Sequence, residues 1–237
     1  MTQPGADAGR GRAIGRLVLG LCAVTPLLRF GVDAARGLDY LHVQYLVDDA
    51  FYYFVIARHF PEFNPGIATS GFHPLYAMLA SLFHTRLEPG TAIICCLAVL
   101  ALANSASVIV LYRCVIRVAP RSVALISAMG WAANARIHAL ALTGVETMLA
   151  VLAVLVFYER FVRLVADDAS EQVPAMALLG VCLGVSFWAR MDAPLLLAPA
   201  AALVFATAIR DRRFRGASAL AFTALGLPLV WIGYILA

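Results

Sequence analysis

The sequence predicts an all-α, polytopic membrane protein of about seven transmembrane helices with a long first extracytoplasmic loop, and three observations carry that prediction. Hydrophobic residues make up 62% of the 237-residue chain and charged ones only 14%, with a mean hydropathy of +0.86, far beyond what a soluble domain of this length requires. Apolar runs recur along the chain at the length a membrane demands, about 20 helical residues for a hydrocarbon core of roughly 30 Å. Basic residues are dense in alternate connections, the pattern expected of repeated crossings.

The elements follow in order. Residues 1–12, Gly-rich and carrying Arg10 and Arg12, read as an unstructured cytoplasmic tail, and 13–237 as one transmembrane module. The first span, about 13–31, lies between Arg16 and Arg29, both of which must reach toward headgroups. Its basic start and short apolar core also fit a signal sequence. "VDAARG" is a poor cleavage site and further spans follow, so the segment reads as an uncleaved anchor. Runs with little or no charge at 91–112, 122–135, 147–158, 173–189, 193–209 and 216–237 supply the other six spans.

Orientation follows from the 18 basic residues, all of them arginine. With the N-terminus cytoplasmic, the inner segments hold Arg10, Arg12, Arg16, Arg113, Arg117, Arg121, Arg160, Arg163, Arg210, Arg212, Arg213 and Arg215. Only Arg29, Arg36, Arg58, Arg86, Arg136 and Arg190 fall outside, which satisfies the positive-inside rule. The run 71–87 is short and carries His73 and His84, so it reads as a helix lying in the outer interface. The five cysteines lie in or beside apolar spans without metal-ligand spacing and read as small buried hydrophobes. No nucleic-acid partner is expected.

The first outer loop, 32–90, contains "YLVDDAFYYFVIARHF". A helix is expected from Asp48 to His59, then a turn marked by Pro61, Pro65 and two glycines, then the interfacial helix. Acids at the first positions of a helix cap free N–H groups and meet its positive end, and one aspartate suffices for that. Two adjacent carboxylates near hydrocarbon, followed by Phe51, Tyr52 and Tyr53, suffer repulsion and partial desolvation. Such a pair is suited to binding a cation or moving a proton.

Other outer-face residues carry two readings each. Glu146 follows Thr143 in "TGVE", a capping-box pattern before the fourth span, yet is also an acid at membrane depth. Arg190 and Asp192 sit where the fifth span turns into the sixth, with Pro194 suited to the first turn of the new helix. They form a local ion pair, or the arginine holds a phosphate through its forked donors. Arg58 and His59 close their helix favourably or bind substrate. His73, next to Pro74, is a packing histidine or a ligand contact. Asn104, Ser105 and Ser107 are expected to serve helix packing.

The order of these segments resembles the integral-membrane glycosyltransferases of the GT-C superfamily. It is most similar to the group of protein O-mannosyltransferases and bacterial aminoarabinose transferases. The likeness is carried by "DDAFYYFVIAR", "SGFHPLYAMLASLF", "LTGVETML" and "ARMDAP" and spans nearly the whole chain. What the resemblance implies is inverting transfer of a sugar from a polyprenyl-phosphate donor to a hydroxyl of a glycan, lipid or protein acceptor. The reaction would run on the extracytoplasmic face of a bacterial plasma membrane. Asp48 matches the base that takes the acceptor's proton, and Asp49 the neighbour that orients it or shares a divalent ion, Mg2+ or Mn2+. Arg190, with Arg58 behind it, is the expected partner of the leaving phosphate. His59, His73, Glu146 and Asp192 are expected around the substrate. Members of the superfamily usually have more spans and often a C-terminal outer domain. The chain therefore corresponds to their N-terminal module, and its activity alone is in question.

Two other classes fit the same composition. A transporter or flippase of lipid-linked substrates would line a path through the bundle centre with its charges. A non-catalytic membrane subunit would need the acidic pair only as a helix cap.

Overall fold

The computed structural model describes residues 4–60, 62–64, 67–68, 72–166 and 173–236. Eleven helices and one short ladder lie in it. The first helix, α1, runs Pro4–Ala34 and is followed by α2, Leu38–Gln44, and α3, Asp48–His59. Strands β1, Glu62–Asn64, and β2, Ile67–Ala68, pair antiparallel with Glu62 opposite Ala68 and Asn64 opposite Ile67. Next come α4, Pro74–His84, and the long α5, Pro89–Val115, then α6, Arg121–Ala133, and α7, Ala135–Ala141. The chain ends with α8, Thr147–Ala166, α9, Val173–Ala189, α10, Ala193–Arg210, and α11, Phe214–Leu236.

Four of these are long and apolar enough to cross a membrane: Ala13–Ala34 of α1, then α5, α10, and Phe214–Tyr234 of α11. The other three expected crossings are shorter or charged. Helix α9 is apolar over 17 residues. Helix α8 has 20 residues, but its last two turns carry Glu159, Arg160 and Arg163. Helix α6 has 13 residues, roughly 20 Å of rise. It stops because Asn134 leaves helical geometry and caps α7, its side chain accepting from the N–H groups of Arg136 and Ile137. Neither α7 nor α2 was expected from the apolar pattern. The predicted helix Asp48–His59 is found with those bounds. The turn expected after it lies partly outside the described residues.

Successive long helices run up and down, which gives the bundle two ends. At one, which we call the site end, α1 finishes and α2, α3, α4 and α7 gather. At the far end α5 finishes and α6 begins. Each end has its own core. Tyr53, Ile56, Phe72, Tyr76, Leu100, Leu142 and Trp231 pack at the site end, where the Phe72 ring lies 5.3 Å from that of Trp231. Phe157, Met176, Leu179, Leu197 and Leu220 pack toward the other. Helices α9 and α11 lie in close contact at Gly180, where any Cβ would fall on Thr223 Oγ1 and within 2.5 Å of the Leu220 carbonyl. The Thr223 hydroxyl there reaches the Ala177 carbonyl at 2.9 Å, the small-residue contact that lets helix backbones meet in a bilayer. In the middle of the bundle Asn104 accepts a bond from Trp131 Nε1 at 2.9 Å and Ser107 donates to Ala103 O at 2.8 Å, as packing residues should. All five cysteines are free.

Candidate functional site

A cavity of about 540 Å3 opens at the site end between α3, the residues before α4, the segment before α8 and the α9–α10 turn. Each wall arrives for a local reason. On α3, Asp49, Tyr52, Tyr53 and Ile56 recur at helical spacing and so share one face, which lines the cavity. His73 precedes Pro74 and is held extended, φ −84° and ψ 115°, as the proline ring requires. Glu146 and Thr147 come at the start of α8, and Arg190 and Met191 where α9 gives way to α10 with Pro194 in its first turn.

Glu146 is the centre of the polar network. Its carboxylate is buried and accepts from Arg190 Nη1 at 3.1 Å. Arg190 Nε donates in turn to Asp192 at 2.8 Å. The backbone N–H of Met191 donates to His73 Nδ1 at 3.2 Å, so the neutral ring carries its proton on Nε2, which faces Glu146 Oε1 at 3.6 Å. Burial holds His73 below its ordinary value of 6.5 against the pull of Glu146, and Arg190 adds to the lowering. The Tyr53 hydroxyl receives the His73 backbone N–H at 3.2 Å. Burial and then the nearby Glu146 charge push that phenol well above its usual value. With His73 neutral, three carboxylates stand against one guanidinium, and the cavity is acidic overall.

The expected residues therefore divide. Asp49, His73, Glu146 and Arg190 meet at the cavity, and Asp192 joins through Arg190. Asp48 does not line it, because neighbouring helical residues point about 100° apart; the two carboxylates cannot serve the same cavity from one face. Both aspartates are exposed, so the desolvation expected of the pair is not found. Arg58 and His59 are exposed at the end of α3 and do not line the cavity. The capping box read at "TGVE" does not form: Thr143 Oγ1 donates to the Leu140 carbonyl, and the Glu146 side chain is turned to Arg190. For a divalent ion, Asp49 offers one carboxylate while Glu146 and Asp192 are committed to Arg190. Among the described residues no three acids, histidines or cysteines gather as a ligand set.

Sequence reasoning named Tyr52 and Tyr53 only as apolar surroundings of the acidic pair, not as cavity wall, although their spacing from Asp49 was available, and it missed Phe72. It also missed a second buried cluster. Asp33, at the end of α1, accepts from the Tyr45 hydroxyl at 2.8 Å, lies 3.1 Å from His138 Nε2 and 3.6 Å from Arg36. An acid at the end of an apolar span was the only signal for it. Comparison with protein families, curated proteins and solved structures finds no match for this chain in any of the three. What fold and cavity define is a helical protein with four membrane-length helices and an acidic, aromatic-walled cavity at one end.

Proposed function

We propose that the protein is a membrane glycosyltransferase of the GT-C type, with seven crossings, the N-terminus cytoplasmic and the cavity on the extracytoplasmic face. One observation carries the reading: four short segments far apart in sequence, those bearing Asp49, His73, Glu146 and Arg190, converge on one open cavity with tyrosines beside the acids. Separate support for the orientation is the arginine count in the sequence, which puts six in the outer segments and twelve in the inner ones when the N-terminus is read as cytoplasmic. The donor is a polyprenyl-phosphate sugar and the acceptor a hydroxyl of a glycan, lipid or protein.

The roles follow from the geometry. Asp49, exposed on the cavity face of α3, takes the proton from the acceptor hydroxyl as its oxygen attacks the anomeric carbon. The bond from that carbon to the phosphate oxygen breaks on the opposite side, and the polyprenyl phosphate leaves with the electron pair, inverting the centre. Arg190 stabilises the charge that develops on it. Its Nε and Nη1 are engaged by Asp192 and Glu146, so a phosphate gains the forked contact by displacing Asp192, the more exposed of the two carboxylates at 59%. The tyrosine faces give the sugar an amphipathic wall. The family likeness implies Mg2+ or Mn2+ at Asp48 and Asp49, but only Asp49 faces the cavity, so the pair does not present a shared set of ligands there.

The pairing of Arg190 with two acids favours one rival, a non-catalytic subunit in which the cavity is a polar joint. Buried ionisable groups found at the bundle ends (Asp33, Glu146, Glu159) and serines and asparagine between them argue against a transport path. The test is transfer from a panel of radiolabelled polyprenyl-phosphate sugars in membranes containing the protein at matched expression. Transfer by wild type that is lost in Asp49→Asn is expected. No transfer from any donor, with the protein folded, would favour the joint.

A further inference from the structure

The segment between α7 and α8 meets α3 at a joint with almost no space in it. The Val47 N–H donates to the Thr143 carbonyl at 3.2 Å, tying the residue just before α3 to the residue three before Glu146. Between those ties lies Gly144. Its φ of +77° belongs to the left-handed region that side chains avoid, and a Cβ placed there would lie 2.6 Å from Leu46 Cδ2 and 2.8 Å from Ala50 Cβ. Ala50 is fully buried and is the next residue after Asp49. The backbone of 143–145 thus rests directly on the first turn of α3. Asp49 and Glu146 line the same cavity from the two sides of this contact.

The joint is held from behind. Asp33 takes hydrogen bonds from Tyr45, two residues before Val47, and from His138, five residues before Thr143. One buried carboxylate on α1 therefore brackets both chains where they enter the contact. The bracket sets their approach, and the missing side chain at 144 sets how far the approach goes.

We propose that Gly144 is the positioning residue of the cavity, acting by letting the 142–147 segment close on α3 so that Asp49 and Glu146–Arg190 face one substrate. This rests on the transferase reading for its consequence in catalysis, but the closure itself does not. Gly144→Ala adds a methyl group that must push α3 and the segment apart by a fraction of an ångström or more. A misplacement of catalytic groups that reaches about 1 Å costs on the order of 100-fold in rate. A second variant, Val47→Pro, removes the N–H donor of the same joint without adding bulk at 144, and the Val47 φ of −95° lies near the range proline allows.

The experiment has two readouts on purified full-length protein in lipid nanodiscs. Hydrogen exchange at 45–54 reports closure of the joint, with 97–108 in the core of α5 as the internal control for folding. Transfer kinetics report positioning. Gly144→Ala is expected to speed exchange at 45–54 at least tenfold with 97–108 unchanged, and to lower kcat about 100-fold with KM within threefold. Val47→Pro should move kcat in the same direction. Exchange at 45–54 that stays at the wild-type rate in Gly144→Ala would overturn the closure. Faster exchange with kcat unchanged would overturn the positioning role. If wild type itself transfers nothing, the transferase reading fails and the exchange result still decides the closure.

Discussion

One buried glutamate, Glu146, stands just before α8 and a second, Glu159, lies about two turns before its end, and the two are treated in opposite ways. At the far end, Glu159 is ringed by Arg113 at 3.4 Å, Arg160 at 3.3 Å and Arg117 at 4.0 Å. Cations outnumber the buried acid, and it does not line the site cavity. At the site end, Glu146 has the single guanidinium of Arg190, shares it with Asp192, and faces an open cavity that also holds Asp49. Two carboxylates of similar burial thus have opposite charge balance. An overcompensated, closed acid is a clamp between helices; an undercompensated acid beside a cavity is available to a ligand.

The comparison is broken most severely at the clamp. Glu159→Gln leaves three arginines facing one another and is expected to cost about 3 kcal/mol, the low end for breaking a buried pair because the arginines are partly solvated. Thermal unfolding in detergent or nanodiscs measures it. Transfer per folded molecule should stay near wild type; a stability within 0.5 kcal/mol of wild type would show that the ring contributes little, roughly the effect of an ordinary surface change.

Arg190→Gln comes next. It strips the buried Glu146 of its counter-charge at a cost of about 2 kcal/mol, and on the proposed transferase reading, in which Arg190 meets the leaving phosphate, transfer should fall by roughly 100-fold or more. Loss of stability without loss of transfer would return Arg190 to the rank of a strut.

Acidification tests the neutral His73. Its folded value lies below 6.5, so the unfolded chain binds the extra proton first, and stability is full above about pH 6.5 and falls as the pH drops through that value. Burial, aided by the Arg58 charge, lowers His84 in the same direction, so it contributes to the same slope. Unfolding curves between pH 7.5 and 5 should show the decline, and His73→Gln should flatten part of it. A slope unchanged in that variant would assign the effect to His84.

The smallest effect sharpens the comparison. Asp192→Asn removes an exposed carboxylate and should change stability by less than about 0.5 kcal/mol. It also frees Arg190 Nε, so on the proposed transferase reading KM for the lipid-linked donor should drop a few-fold. A rise in KM would mean that Asp192 contacts substrate itself.

Much of the site end was legible because local chemistry wrote it. The acids that open α3, the Arg58 and His59 that close it, and Pro74 and Pro194 at the starts of α4 and α10 are local signals, and the elements begin and end where those signals say. What composition hid was direction and distance. "DD" reads as a pair in sequence, but helical geometry turns one aspartate toward the cavity and the other away. Asn134 looks like one polar residue in an apolar run, yet its side chain ends α6 and starts α7. The Asp33–His138 contact joins residues 105 apart, and an acid at the end of an apolar span does not name its partner. Gly144 sits in a capping-box pattern that competes with tertiary packing, and the packing of Leu46 and Ala50 against it prevails.

The central claim is that the cavity is the working site and that Asp49, not its neighbour, serves it. The most direct test compares Asp48→Asn with Asp49→Asn, at matched expression, for transfer from the donor that wild type uses. Asp49→Asn is expected to fall by at least about 100-fold while Asp48→Asn stays within a few-fold of wild type. Equal losses in the two variants, or the larger loss in Asp48→Asn, would contradict the account.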